Sequence, residues 1–99
     1  MKLWVIANSR NGDKGNISNL SLIVYDIDDY EKVKEKITAD AVKEHFKDIV
    51  KGKVVRYELP QLGTMNFVMY DALGGGVTRS LSMDKHGKSL SSYLLDMEI

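Results

Sequence analysis

"SNLSLIVY", residues 18–25, decides the fold. Leu20, Leu22 and Val24 recur at every second position, so one face of an extended segment is apolar and needs a covering layer. Upstream, "LWVIA" (residues 3–7) is short, aromatic and β-branched, and reads as a buried strand over Lys2 to Asn8. Between the two lies "NSRNGDKGN", residues 8–16, with two glycines, two cations, one carboxylate and three asparagines. It reads as the connection between the strands. Downstream, "DIDDYEKVKEKI" begins a helix that Asp28 can cap, with Glu31 completing a capping box. Thr38 is a second N-cap candidate, with Asp40 in the first turn and Val42, Phe46, Ile49 and Val50 as the apolar stripe. Gly52 is a helix stop.

"KVVRYEL" reads as a third strand, ended by Pro60. "LGTMNFVMYDALGGG" admits two readings. Met65, Val68, Met69, Ala72 and Leu73 fit a helical face, and Asn66 to Tyr70 fit a strand. "VTRSLSMD" alternates as a strand, "DKHGK" is a turn, and Leu90, Tyr93, Leu94 and Met97 space out a C-terminal helix. The expectation is one domain over residues 1–99, of class α+β. It comprises an antiparallel sheet of about four strands with the Asp28 to Val50 helices on one face. Tyr57, Leu22, Val24, Val42 and Phe46 are its expected core.

Composition narrows the function. Fourteen basic residues balance fourteen acidic ones, so the basic footprint of a nucleic-acid binder is missing, as is a polybasic stretch for anionic membranes. No cysteine is present, which removes disulfides, thiolate nucleophiles and thiolate metal sites. His45 and His86 lack the spacing of a metal pair, and the run Asp26, Asp28, Asp29, Glu31 lacks a full calcium loop. The expectation is no metal and no cofactor. "MKLWVIANSR" is too short in apolar residues for a signal segment, so a cytoplasmic location is expected.

Three stretches could carry chemistry. In residues 8–16, Gly12 and Gly15 permit positive φ, which would let backbone N–H groups converge on an anion. Arg10 and Lys14 add charge, Asn8, Asn11 and Asn16 add hydrogen bonds, and Asp13 is available as a counter-charge. A hairpin connection rich in turn formers is the plainer alternative. In "GGGVTRS", residues 74–80, three glycines allow close approach. Arg79 there shares a face with Val77, Leu81 and Met83. That charge needs a partner, with Asp13 the first choice and a bound anion the second, or a place at the sheet margin. Asn66 is a lone polar group in "TMNFVM" and needs hydrogen bonds if buried; it either faces the same pocket as the loop or, more simply, bonds to backbone.

Together, "SRNGDKGN" and "LGTMNFVMYDALGGGVTRSLSMDKHGKSL" resemble the small C-terminal domain of the acyclic terpene utilisation protein AtuA and its relatives. The resemblance runs from Leu3 to the terminal "LLDMEI". The usual pattern reads Ser-Arg-Ser-Gly-Asp-Lys-Gly-Asn. Asn11 stands here in place of its second serine, while Arg10, Gly12, Asp13, Lys14, Gly15 and Asn16 match, as do Asn66, Gly74, Gly75, Gly76, Arg79 and Ser80. The resemblance implies a ferredoxin-like α+β domain, a larger AtuA-type partner, and a setting in catabolism of branched or terpenoid acyl compounds. It supplies no catalytic mechanism. Three functions follow: an accessory domain binding an anionic acyl compound, a non-autonomous subunit of a composite active site, and a homo-oligomerising structural module. No nucleophile beside a general base is legible, so an autonomous enzyme is the least favoured.

Overall fold

A computed structural model describes residues 1–14, 17–72 and 90–99. Four strands form one sheet: β1 (Ala7–Lys14), β2 (Ile17–Val24), β3 (Val54–Leu59) and β4 (Thr64–Tyr70). Their order is β1-β2-β4-β3, and every neighbouring pair is antiparallel. Helices α1 (Tyr30–Lys36) and α2 (Ala39–His45) connect β2 to β3, and α3 (Leu90–Leu95) follows β4 in the chain.

Strands β2 and β3 flank β4 and therefore run parallel to each other, joined by the helical crossover. This is a split β-α-β unit. Placing β1 after α3 would give the β-α-β-β-α-β order of a ferredoxin-like domain, with α1 and α2 forming the first crossover. The structure makes that junction without a peptide bond. The Leu3 N–H donates to Met97 O at 2.8 Å, Ile99 N–H to Met1 O at 2.9 Å, and Lys2 bridges Glu98. The Met1 ammonium lies 3.0 Å from Glu98 Oε2, and that cation holds the exposed carboxyl below its usual pKa.

The alternation of residues 18–25 sets the core as expected. Leu20, Leu22 and Val24 face the helices together with Met65, Phe67 and Met69 of β4. Val33, Ile37, Val42, Phe46, Ile49, Val50, Leu90, Leu94 and Met97 close over them. Thr38 caps α2, its Oγ1 accepting from Ala41 N–H at 3.1 Å. The segment with two readings is a strand, and residues 90–95 are helical as expected.

Several expectations fail for physical reasons. Residues 3–5 form a 3₁₀ turn, not a strand, because Leu3 is drawn onto Met97 while Trp4 and Val5 point outward. Residues 8–14 of the quoted connection are strand. β1 pairs residue by residue with β2 from Ala7↔Val24 to Lys14↔Ile17, and cross-strand pairing overrides the turn-forming composition. Asp28 does not cap α1. Asp26 Oδ1 accepts from Asp28 N–H at 2.9 Å, and a 3₁₀ turn over residues 27–29 precedes the helix. Gly52 lies seven residues past the end of α2, where a Cβ would fall 2.6 Å from Tyr70 O. It is there for close approach, not as a stop. Tyr57 is outside the core, 54% exposed. The inward place in β3 belongs to Arg56. Its Nη1 donates to Lys34 O at 2.7 Å and Ile37 O at 2.9 Å, closing the carbonyl end of α1, and Nη2 donates to Glu58 at 3.1 Å.

Candidate functional site

The helices α1, α2 and α3 cover one face of the sheet. Among the described residues, no helix lies on the other. Direct register partners share a face, so the pairings define rows across the uncovered side. One row runs Arg10, Ser21, Asn66, Tyr57, from edge to edge. A second runs Gly12, Asn19, Val68, Val55, and a third Asn8, Ile23, Thr64, Leu59.

The first row has the chemistry. Arg10 is exposed, with no charged partner among the described residues. Ser21 Oγ donates to Asn66 Oδ1 at 2.9 Å. That bond fixes the amide so that its NH₂ end is a donor with no other partner among the described residues. The Tyr57 hydroxyl closes the row from the far edge. A guanidinium, an amide NH₂ and a phenol on one surface are three kinds of donor suited to an oxyanion. Neighbouring strands lie about 4.8 Å apart, so at the backbone Asn66 stands about 10 Å from Arg10 and about 5 Å from Tyr57, and the long Arg10 side chain can reach toward the amide. The neighbouring rows are mixed, and Val55, Val68 and Ile23 give half-buried apolar ground beside the donors.

The structure brings together two of the residues expected from sequence, Arg10 and Asn66, with Gly12 one row away. Asn66 bonds a side chain where a backbone partner was expected. Gly12 does not have positive φ, and a Cβ there would find only Asn19 O at 3.9 Å. The strand thus needs no glycine at this position for a nest. Asp13 stands opposite Ser18 and Lys14 opposite Ile17 in the ladder. Gly15, Asn16, Leu73, Gly75, Arg79, Ser80 and His86 lie outside the described residues, as do the expected strand at 77–84 and the turn at 84–88. The proposed Asp13–Arg79 pair falls there too.

Sequence reasoning missed Ser21 and Tyr57, because their places depend on pairing register. It also missed the work of Asn11, which faces the helices. Asn11 Oδ1 accepts from Ser91 N–H at 3.0 Å, serving the first turn of α3 from a neighbouring strand. On the helical side, His45 stacks on Tyr93 with ring centroids 4.3 Å apart, and its Nε2 lies 2.6 Å from Tyr93 O. It ties α2 to α3. Tyr30 is buried and donates to Thr64 O at 3.4 Å; burial first, and the nearby Glu58 second, raise its pKa above 10.0. Among the described residues, no group of three or more His, Asp or Glu side chains is placed to hold a metal. No described helix is long and apolar enough to cross a membrane.

The sheet order and the crossover agree with what a family comparison finds over residues 1–99, an AtuA ferredoxin-like domain. The chain belongs to the AtuA ferredoxin-like domain family. Within an AtuA ferredoxin-like domain of this form, the "SRNGDKGN" motif begins as the edge strand of the sheet and supplies both the Asn11 acceptor and the outward Arg10. A search of curated proteins and a search of solved structures each gave no match.

Proposed function

We propose that this domain is an accessory, ligand-binding module that uses its uncovered sheet face to hold an anionic group, a carboxylate or phosphate such as an acyl compound carries. It works beside a larger AtuA-type protein in the cytoplasm. The observation that carries the reading is the continuous row Arg10, Ser21, Asn66, Tyr57. The cation at one edge and the preoriented amide two strands away can hold an oxyanion between them, with the phenol one strand beyond. Val55 and Val68 offer apolar contact to the chain attached to it. No nucleophile with an adjacent base stands in the row, so the module binds and presents and does not react alone.

Titration of ¹⁵N-labelled protein with inorganic phosphate and with a branched short-chain carboxylate tests this. Resonance shifts confined to residues 10, 21, 57 and 66, and weakened about tenfold or more by Arg10→Ala, are expected, since charged hydrogen bonds contribute roughly 1.5–3 kcal/mol. Shifts elsewhere, or none at millimolar ligand, would overturn it. Self-association into a homo-oligomer is the second reading. It draws on Val55, Tyr57 and Leu59 of edge strand β3, with Val68 beside them, as apolar area a second copy could cover. Light scattering at high micromolar concentration separates the two: a monomer that still binds phosphate leaves only the first.

A further inference from the structure

A different surface, at the end of the sheet where the chain termini meet, is apolar without serving the core. Trp4 is 57% exposed, Tyr25 68%, Ile27 56% and Leu62 69%. Backbone bonds gather them. Tyr25 N–H donates to Ile6 O at 3.0 Å, which sets the Trp4 turn beside Tyr25. Val24 N–H donates to Gly63 O at 3.0 Å, which sets Leu62 beside the same strand end. Ile27 reaches over Gly63, whose position leaves so little room that a Cβ would stand 3.1 Å from Ile27 Cδ1. Gly63 has φ +58°, a conformation that glycine adopts at little cost, so the turn presenting Leu62 is built on that residue. Val5 and Leu59 extend the patch on either side, both exposed. Large apolar groups clustered in this way on a small domain mark an interaction surface.

The rim tells what covers it. "YDIDDYE", residues 25–31, carries four carboxylates and no base. Asp26 and Asp28 are exposed beside the patch, and Glu31, also exposed, has Lys34 3.9 Å away. Of the cations near this end, Lys2 lies 3.4 Å from Glu98 and 4.0 Å from Asp96, the Met1 ammonium lies on Glu98, and Lys34 lies beside Glu31. A second copy laid on this patch by a two-fold axis would set the acidic rim against itself, which is unfavourable. An anionic membrane would be repelled for the same reason. We infer that this end of the domain docks a protein segment with an apolar face flanked by lysine or arginine. Trp4, Tyr25, Ile27 and Leu62 form the apolar centre, and Asp26 and Asp28 form the complementary rim. The inference rests on the accessory-module reading only in requiring a protein partner, and it is independent of the anion row.

Trp4 is the chain's single tryptophan, so its fluorescence reports the patch directly. The probe is an amphipathic leucine–lysine helical peptide, with a leucine–glutamate peptide and anionic lipid vesicles as comparisons. The basic peptide should shift Trp4 emission to the blue with an affinity that falls at least tenfold between low and physiological salt. The acidic peptide and the vesicles should leave it unchanged. Leu62→Ser and Asp28→Lys, both at exposed positions, should each weaken the response at least fivefold while the far-ultraviolet circular dichroism stays the same. No shift with the basic peptide, an equal shift with the acidic one, a shift on vesicles, or a response indifferent to both variants would each overturn the proposal. So would a Trp4 emission that turns blue with protein concentration alone, which would make a second copy the occupant. Phosphate titration of the same variants keeps the two proposals apart, since Leu62→Ser leaves the Arg10 row untouched.

Discussion

The two faces of the sheet are built from the same four strands and share few properties. Toward the helices, Leu20, Leu22, Met65, Phe67 and Met69 are each at most 1% exposed. Toward the outside, the residues between them in sequence are Asn19, Ser21, Ile23, Asn66 and Val68, half-buried or exposed. A strand buried on both faces would be apolar throughout, and a strand half in water would alternate cleanly with polar residues. The outer face does neither. It mixes donors with aliphatics, a pattern suited to recognition more than to solvation. The inner face holds the domain together, and the outer one is free to be specified by what it binds.

The largest effect that could break this division is in the inner layer. Phe67→Ala removes a fully buried ring and should cost about 3–5 kcal/mol in urea unfolding, whereas Val68→Ala, one residue on and facing outward, should cost less than about 1 kcal/mol. Equal losses would mean that the outer face is core after all. Next comes Gly52→Ala. Its methyl would meet the backbone of Tyr70, so β4 or the loop must shift, at about 1–3 kcal/mol. A neutral result would contradict that close approach.

Asn11→Ala should cost about 1 kcal/mol by removing the side-chain acceptor from the Ser91 N–H, and Asn11→Ser should recover part of it. Hydrogen exchange should show the loss concentrated in α3. A smaller effect depends on pH. Because the pKa of Tyr30 is higher folded than unfolded, its contribution is complete below about pH 10 and is lost as pH rises through the folded value. Alkaline destabilisation should therefore be shallower in Tyr30→Phe than in the parent, measured by urea midpoints at pH 8 and pH 11. Parallel curves would remove Tyr30 as a source.

How much of this was legible in the sequence follows the range of the interactions. Leu20, Leu22 and Val24 announce an inner face because period two is local, and Thr38 announces a helix start because its cap is three residues away. Tyr57 was misplaced because the inward side of β3 is decided by Arg56 finding the carbonyls of Lys34 and Ile37, a contact about 20 residues distant. "NSRNGDK", residues 8–14, looked like a loop because asparagine and glycine favour turns, and only pairing with β2 makes it a strand. Arg10 and Asn66 were both singled out, yet they share a row through Ser21, which no local pattern marks. Trp4 looked like strand interior, and is turned outward because Leu3 docks on Met97.

The central claim is that folding and recognition are divided between the two faces, and Arg10→Ala tests it most directly. Its urea midpoint and its phosphate-induced resonance shifts should be measured on the same sample. The account predicts unfolding free energy within about 0.5 kcal/mol of the parent together with loss of the shifts at residues 21, 57 and 66. A variant that is destabilised by more than about 1 kcal/mol yet binds phosphate as the parent does would contradict it.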